Sequence, residues 1–268
     1  MKKFEKIGFL GMDYRRNIKT LPEVRGPLTD LLIGLMEISW GIQYQLEVDT
    51  MDLVMIHSAT LYARILNSIQ ASHLLAVYGL GAQSSNQCRA ALECLFQLAA
   101  INKKRELFDG LMLADIRDTR TYLERYQAQL SKNNKVSQSR IEVLKQKTAK
   151  LNERINQLEA MNIQKLSKIE NIAKEADMQS WYELLYRALS RGTHSSLISL
   201  QEHLQISEDS NITHFTNEPN FEDFFSNTYC CLKVLSRAIE EVYVTVKEIP
   251  PTVLADYNKQ LEALKFDE

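Results

Sequence analysis

Glycine and proline are scarce in this chain, at 9 and 5 of 268 residues. That scarcity argues against turn-rich β architectures, whose tight connections consume both residues. Cysteine is scarce too. Cys88, Cys94, Cys230 and Cys231 form neither a Cys-x-x-Cys pair nor a zinc-ligand spacing, so buried, reduced thiols are expected in place of a disulfide framework. No apolar run has the ~20 residues of a membrane span, and Leu31 to Ile42 is interrupted by Glu37. The start carries Lys2 and Lys3, but the apolar patch behind them is too short and too charged for a secretory signal. A cytoplasmic protein with no membrane contact is the expectation. The chain also lacks GxGxxG, GxxxxGK, HExxH and GxSxG, the signatures of dinucleotide, P-loop, zinc-protease and serine-hydrolase chemistry. No cofactor is implied.

What is present fits a soluble helical protein. Apolar residues make up 45% and charged residues 25%, ordinary values for a chain long enough to bury a large core. The net charge of −2 excludes a polycation, but the charge is unevenly spread. Lys132 to Arg154 holds seven bases against two acids, a net +5, while Glu202 to the end holds five bases against thirteen acids, a net −8. Such polarity steers anions to one end or lets copies dock head to tail; solvated helix faces explain it equally.

Apolar periodicity gives the organisation. Residues 1–26 read as a basic N-terminal arm and 27–268 as a single helical domain. Helices are expected over about 28–46, over about 53–80 with Thr50 or Asp52 as cap, and over about 86–101 with Ser84 or Ser85 as cap. The third of these is apolar nearly all round, so it belongs at the centre. It carries Arg89 and Glu93 four residues apart, either as a mutual salt bridge inside the bundle or reaching across to orient the groups of the Arg187–His194 face. Residues 108–178 read as a long helical-hairpin insertion, a protruding antiparallel pair that turns near Ser131 to Ser139. Leu144, Thr148, Leu151, Ile155 and Leu158 form its heptad seam, and Ile163, Leu166, Ile169 and Ile172 resume in another phase. This arm could take a protein partner, and its Lys145, Lys147 and Lys150 are the candidate nucleic-acid contacts. A motif helix over about 179–204, a polar loop over 205–220 and a helix over about 221–247 follow. Pro250-Pro251 ends the last of these, and a short helix closes the chain near Leu264. The fold class is all-α.

The motif helix carries the chemistry. Arg187 and His194 stand seven residues apart, and at about 3.6 residues per turn positions 187, 190, 191 and 194 share a face. That face presents Arg187, Ser190, Arg191 and His194, while Leu185, Leu189 and Leu197 belong to the apolar side. A guanidinium can hold a phosphate and an imidazole can move a proton near neutral pH. Held as a buried polar cluster, the same residues would only fix the fold. Tyr182 and Tyr186 can stack on bases or fill half-buried core. His57, His73, His203 and His214 are scattered without ligand spacing, so no metal site is expected.

Two segments together carry a family resemblance: Gln-Cys-Arg-Ala-Ala-Leu-Glu at 87–93 and Tyr-Arg-Ala-Leu-Ser-Arg-Gly-Thr-His-Ser-Ser at 186–196. They resemble a bacterial family of unknown function with a central R-x-x-x-E helix and a later Tyr-x-x-Leu-Ser-x-x-x-His segment. That family is similar to the HEPN domains of toxins and antiviral systems, and the likeness spans roughly residues 50–205. It implies a HEPN-like bundle in a homodimer and an R-x(4–6)-H ribonuclease motif on Arg187 and His194. His194 would be the acid or base and Arg187 would stabilise the phosphorane, with no metal and a cyclic phosphate product. Arg89, Glu93, Tyr186, Ser190 and Arg191 would support them. Ala188 stands where active members often carry a polar residue. A non-catalytic helical module that binds protein or nucleic acid is the alternative.

Overall fold

A computed structural model describes residues 26–132, 137–191, 203–207, 211–215 and 218–263. The N-terminal arm up to residue 25 and His194 lie outside the described residues. The fold is all-α. Its helices are α1 (Pro27–Gln45), α2 (Leu53–Val77), α3 (Gly81–Lys103), α4 (Leu107–Ser131), α5 (Gln138–Ala160) and α6 (Ile169–Glu175). Then come α7 (Gln179–Trp181), a π-turn at Tyr182–Tyr186, α8 (Arg187–Arg191), α9 (Phe224–Val246) and α10 (Thr252–Ala263).

α3 is central, as its apolar circumference requires. Leu92, Leu95, Phe96, Leu98 and Ala100 are fully buried, and α3 packs on α2 and α9. The leucine and phenylalanine side chains are worth about 1.5–3 kcal/mol each when removed from water, so this helix anchors the core. α2 starts at Asp52, whose side chain accepts from the backbone N–H groups of Val54 and Met55. It ends at Gly79, in the left-handed region at φ +73°, where a β-carbon would come within 2.6 Å of Pro219 Cβ. Only glycine suits that corner. α9 runs to Val246, with Lys247 in the left-handed region behind it, and keeps Val242 to Val246 helical despite their strand-forming side chains.

Three expectations need correction. Ser84 and Ser85 do not cap α3, because the Gly79 corner lets the helix start at Gly81. The two hydroxyls lie inside it, Ser84 against Ser72 at 3.0 Å and Ser85 donating to Asn227 Oδ1 at 2.9 Å. Residues 205–220 are not only loop: Leu204–Ile206 (β1) pairs antiparallel with Ile212–Phe215 (β2), with Gln205 opposite His214. Ile212, Thr213 and Phe215 are β-branched or aromatic side chains that favour a strand, although all four residues of β2 are exposed. Finally, the helical run does not continue through 161–168. Asn162 takes φ +57° and ends α5, so the slip of the seam there is a true break.

α4 and α5 lie antiparallel, as the pairings of Tyr126 with Arg140, Arg120 with Asn152 and Arg117 with Glu159 require. Ile141, Leu144, Thr148, Ile155 and Leu158 are buried along the expected seam. Leu113, Ile155 and Leu158 form a small core of their own, while Leu166, Ile169 and Ile172 turn back to the main one.

Candidate functional site

The motif helix is tied to the centre of the bundle by one phenol. Tyr186 donates to Glu93 Oε1 at 2.9 Å, and Arg89 Nε reaches the same oxygen at 3.2 Å. The mutual bridge of Arg89 and Glu93 is present, and Glu93 also takes a hydrogen bond from the motif helix, at Tyr186 and not at Arg187. They sit at the edge of the core and not in its centre, with 23% and 33% of their side chains exposed. Burial first, and then the Glu93 carboxylate, push the Tyr186 phenol up to about 12. It stays a proton donor throughout the neutral range.

Above this tie the side chains stack. Arg89 lies 5.6 Å from the centre of the Tyr186 ring, and Tyr186 stacks on Tyr182 at 5.2 Å and 16°. Arg187 in turn lies 5.6 Å from the centre of the Tyr182 ring. The π-turn supports this alignment. The Arg187 backbone N–H bonds to the Tyr182 carbonyl, five residues back, and such wide turns recur at functional positions. Arg187 Nη1 also pairs with Glu183 Oε2 at 3.0 Å, yet 59% of its side chain is exposed. Glu183 is itself held by Gln179.

Of the expected supporting residues, Ser190 donates to the Tyr186 carbonyl at 2.7 Å and is spent within its own helix. Leu189 is buried and Leu185 packs on the core, as the apolar side of the helix predicts. Arg191 closes α8, and His194 lies outside the described residues. Sequence reasoning missed Glu183, Gln179 and the pairing of Tyr182 with Arg187. The i,i+4 spacing of Glu183 to Arg187 was the available signal.

The nucleic-acid candidates divide. Lys145, Lys147 and Lys150 are all exposed on α5, but Lys145 faces Glu142 at 3.7 Å, away from the side where Lys147 and Lys150 lie. The four histidines stand apart: His57 lies against Phe108 and His73 against Phe224, while His203 precedes the β-ribbon and His214 is within it. Elsewhere, two clefts of about 440 Å³ flank Asn102. Between them Asn102 holds the buried Glu241, which Arg237 also pairs.

A family of unknown function, DUF5677, matches residues 55–212. The match takes in both motif segments and the whole α4–α5 pair. Neither a curated protein nor a solved structure matches the chain.

Proposed function

We propose that this chain, which belongs to the DUF5677 family of unknown function, is a HEPN-like endoribonuclease that needs no metal. The observation that carries the reading is Arg187, a mostly exposed guanidinium on a helix that Tyr186 ties to Glu93 and Arg89. A guanidinium held there by Tyr182 and Glu183 is pre-set to take a phosphate oxygen. His194 follows seven residues later in the sequence, the spacing that puts an imidazole on the same face of a continuous helix about 10 Å along its axis.

In this reading His194 takes the proton of a ribose 2′-hydroxyl, or gives one to the departing 5′-oxygen. The 2′-oxygen bonds to phosphorus as the bond to the 5′-oxygen breaks, leaving a 2′,3′-cyclic phosphate and a 5′-hydroxyl. Arg187 stabilises the charge of the phosphorane, and a positioned acid or base contributes about 10²–10⁴-fold. Leu184, 72% exposed two residues before Tyr186, supports a homodimer in which two motif helices meet. A cytoplasmic toxin or antiphage effector is the role such an activity serves.

The test is RNA cleavage by the purified protein with EDTA present, set beside Arg187→Ala and His194→Ala. Cleavage lost in both folded variants, with cyclic phosphate termini in the wild type, is the expected result. Cleavage that survives His194→Ala sinks the assignment. Absence of cleavage across a broad RNA set would favour a binding module with Arg187 and His194 in structural roles.

A further inference from the structure

The two flanks of the α4–α5 arm differ in chemistry. On one flank charges cancel: Arg117 pairs with Glu159 and Lys145 with Glu142 at 3.7 Å; Asp118, one helical turn before Tyr122, is taken up by Lys165 at 3.1 Å. On the other, Arg140, Val143, Lys147, Lys150 and Arg154 follow steps of three and four, so they form one row along α5. All five are exposed. The row spans roughly 21 Å at 1.5 Å per residue, and no acid occupies it.

Beside this row α4 presents two stacked aromatic rings. Tyr122 and Tyr126 lie 6.0 Å apart and within 5° of parallel, and Tyr122 is 63% exposed. Arg140 Nη2 donates to the Tyr126 hydroxyl at 2.9 Å, which fixes the rings on the same flank as the cations. Cations alone would suit any polyanion. An exposed tyrosine face beside them adds what an acidic peptide does not use, a platform on which an unpaired base stacks. A duplex keeps its base faces closed and cannot use that platform.

We propose that this flank of the arm holds single-stranded RNA, its phosphates along Arg140, Lys147, Lys150 and Arg154 and a base stacked on Tyr122. The choice of RNA rests on the endoribonuclease reading. The arm then delivers substrate to the Arg187 helix, and Lys145 takes no part.

The experiment is fluorescence anisotropy with a labelled oligoadenylate of about twelve nucleotides, within the usual length range for such grooves. The protein is the full chain carrying His194→Ala, so that binding is read apart from cleavage. With Lys147, Lys150 and Arg154 all changed to Gln, affinity should fall more than about tenfold and its dependence on salt should flatten. Tyr122→Ala should weaken binding about tenfold, Tyr122→Phe should restore it, and Lys145→Gln should leave it unchanged. Helical content by circular dichroism confirms that each variant folds.

The inference is overturned if the probe does not bind, if Lys145→Gln weakens binding as much as the triple variant, or if Tyr122→Ala has no effect. Displacement by polyglutamate as readily as by unlabelled oligoadenylate also overturns it, in favour of an acidic polypeptide. If binding behaves as expected but no RNA is cleaved, the endoribonuclease reading falls and the arm assignment stands. If RNA is cleaved and the arm variants bind normally, the arm assignment falls alone.

Discussion

Tyr186→Phe removes a single oxygen from the tie between the motif helix and the central helix. The ring remains, so the stack on Tyr182, the contact with Arg89 and the tilted contact with Phe96 at 6.3 Å should survive. What is lost is the hydrogen bond to Glu93 Oε1, 2.9 Å long. A bond to a charged acceptor is worth about 1.5–3 kcal/mol when fully enclosed. Glu93 is 33% exposed, so water replaces part of it, and about 1 kcal/mol is the appropriate figure. In a chain of this size that lowers Tm by roughly 2–4 °C.

A double-mutant cycle isolates the contact. Urea unfolding of Tyr186→Phe, Glu93→Ala and the double variant should give a coupling energy of about 1 kcal/mol. Glu93→Ala alone should cost more than Tyr186→Phe, because it also removes the carboxylate that pairs with Arg89. If the two changes add within about 0.3 kcal/mol, the phenol does not hold the helices together. The reasoning that places Arg187 through Tyr186 would then be refuted.

Burial pushes His57 and His73 below their ordinary value. Between that value of about 6.5 and their depressed folded values the unfolded chain binds more protons. Stability is therefore full above about pH 7 and is lost as pH falls below about 6.5, flattening once the folded values are passed. The urea midpoint should drop across that window, and His73→Phe should remove part of the drop. An unchanged slope in that variant would show that His73 does not contribute. Gly79→Ala places a β-carbon in the left-handed region against Pro219 and should destabilise by at least about 1–2 kcal/mol. Gly41→Ala, inside α1 with open space around its β-carbon, should instead stabilise by about 0.5–1 kcal/mol in thermal unfolding.

The helices were legible wherever apolar periodicity was strong. α3 declared its central place by being apolar all round, and the α5 seam was readable residue by residue. The end of α5 was written only as a slip in phase, because Asn162 makes the left-handed turn without the glycine or proline that usually marks one. Ser84 and Ser85 misled for a related reason: hydroxyls that suit a cap also suit a partner across the core, and Ser72 and Asn227 lie far away in sequence. At the candidate site, the i,i+4 pairs Arg89–Glu93 and Glu183–Arg187 were within reach of spacing. The bond from Tyr186 to Glu93 spans 93 residues and no local rule predicts it. The π-turn was equally hidden, since Tyr182 to Tyr186 reads as ordinary amphipathic helix.

The side chains of the motif helix divide their work, and that division decides how a loss of activity should be read. Tyr186 and Leu189 face the bundle; Tyr186 makes the cross-helix bond and Leu189 is buried. Arg187 takes its partners, Tyr182 and Glu183, from its own helix. An exposed i,i+4 ion pair contributes only about 0.3–0.5 kcal/mol, and an exposed cation–π contact about 0.5–1 kcal/mol. An arginine retained for the fold would be expected to bridge two elements, as Arg105 does with Asp52 and Arg117 with Glu159. Arg187→Ala should thus leave the fold nearly as stable as before. An activity that vanishes in this variant is lost through the guanidinium itself, whereas the same loss in Tyr186→Phe comes through the placement of the helix.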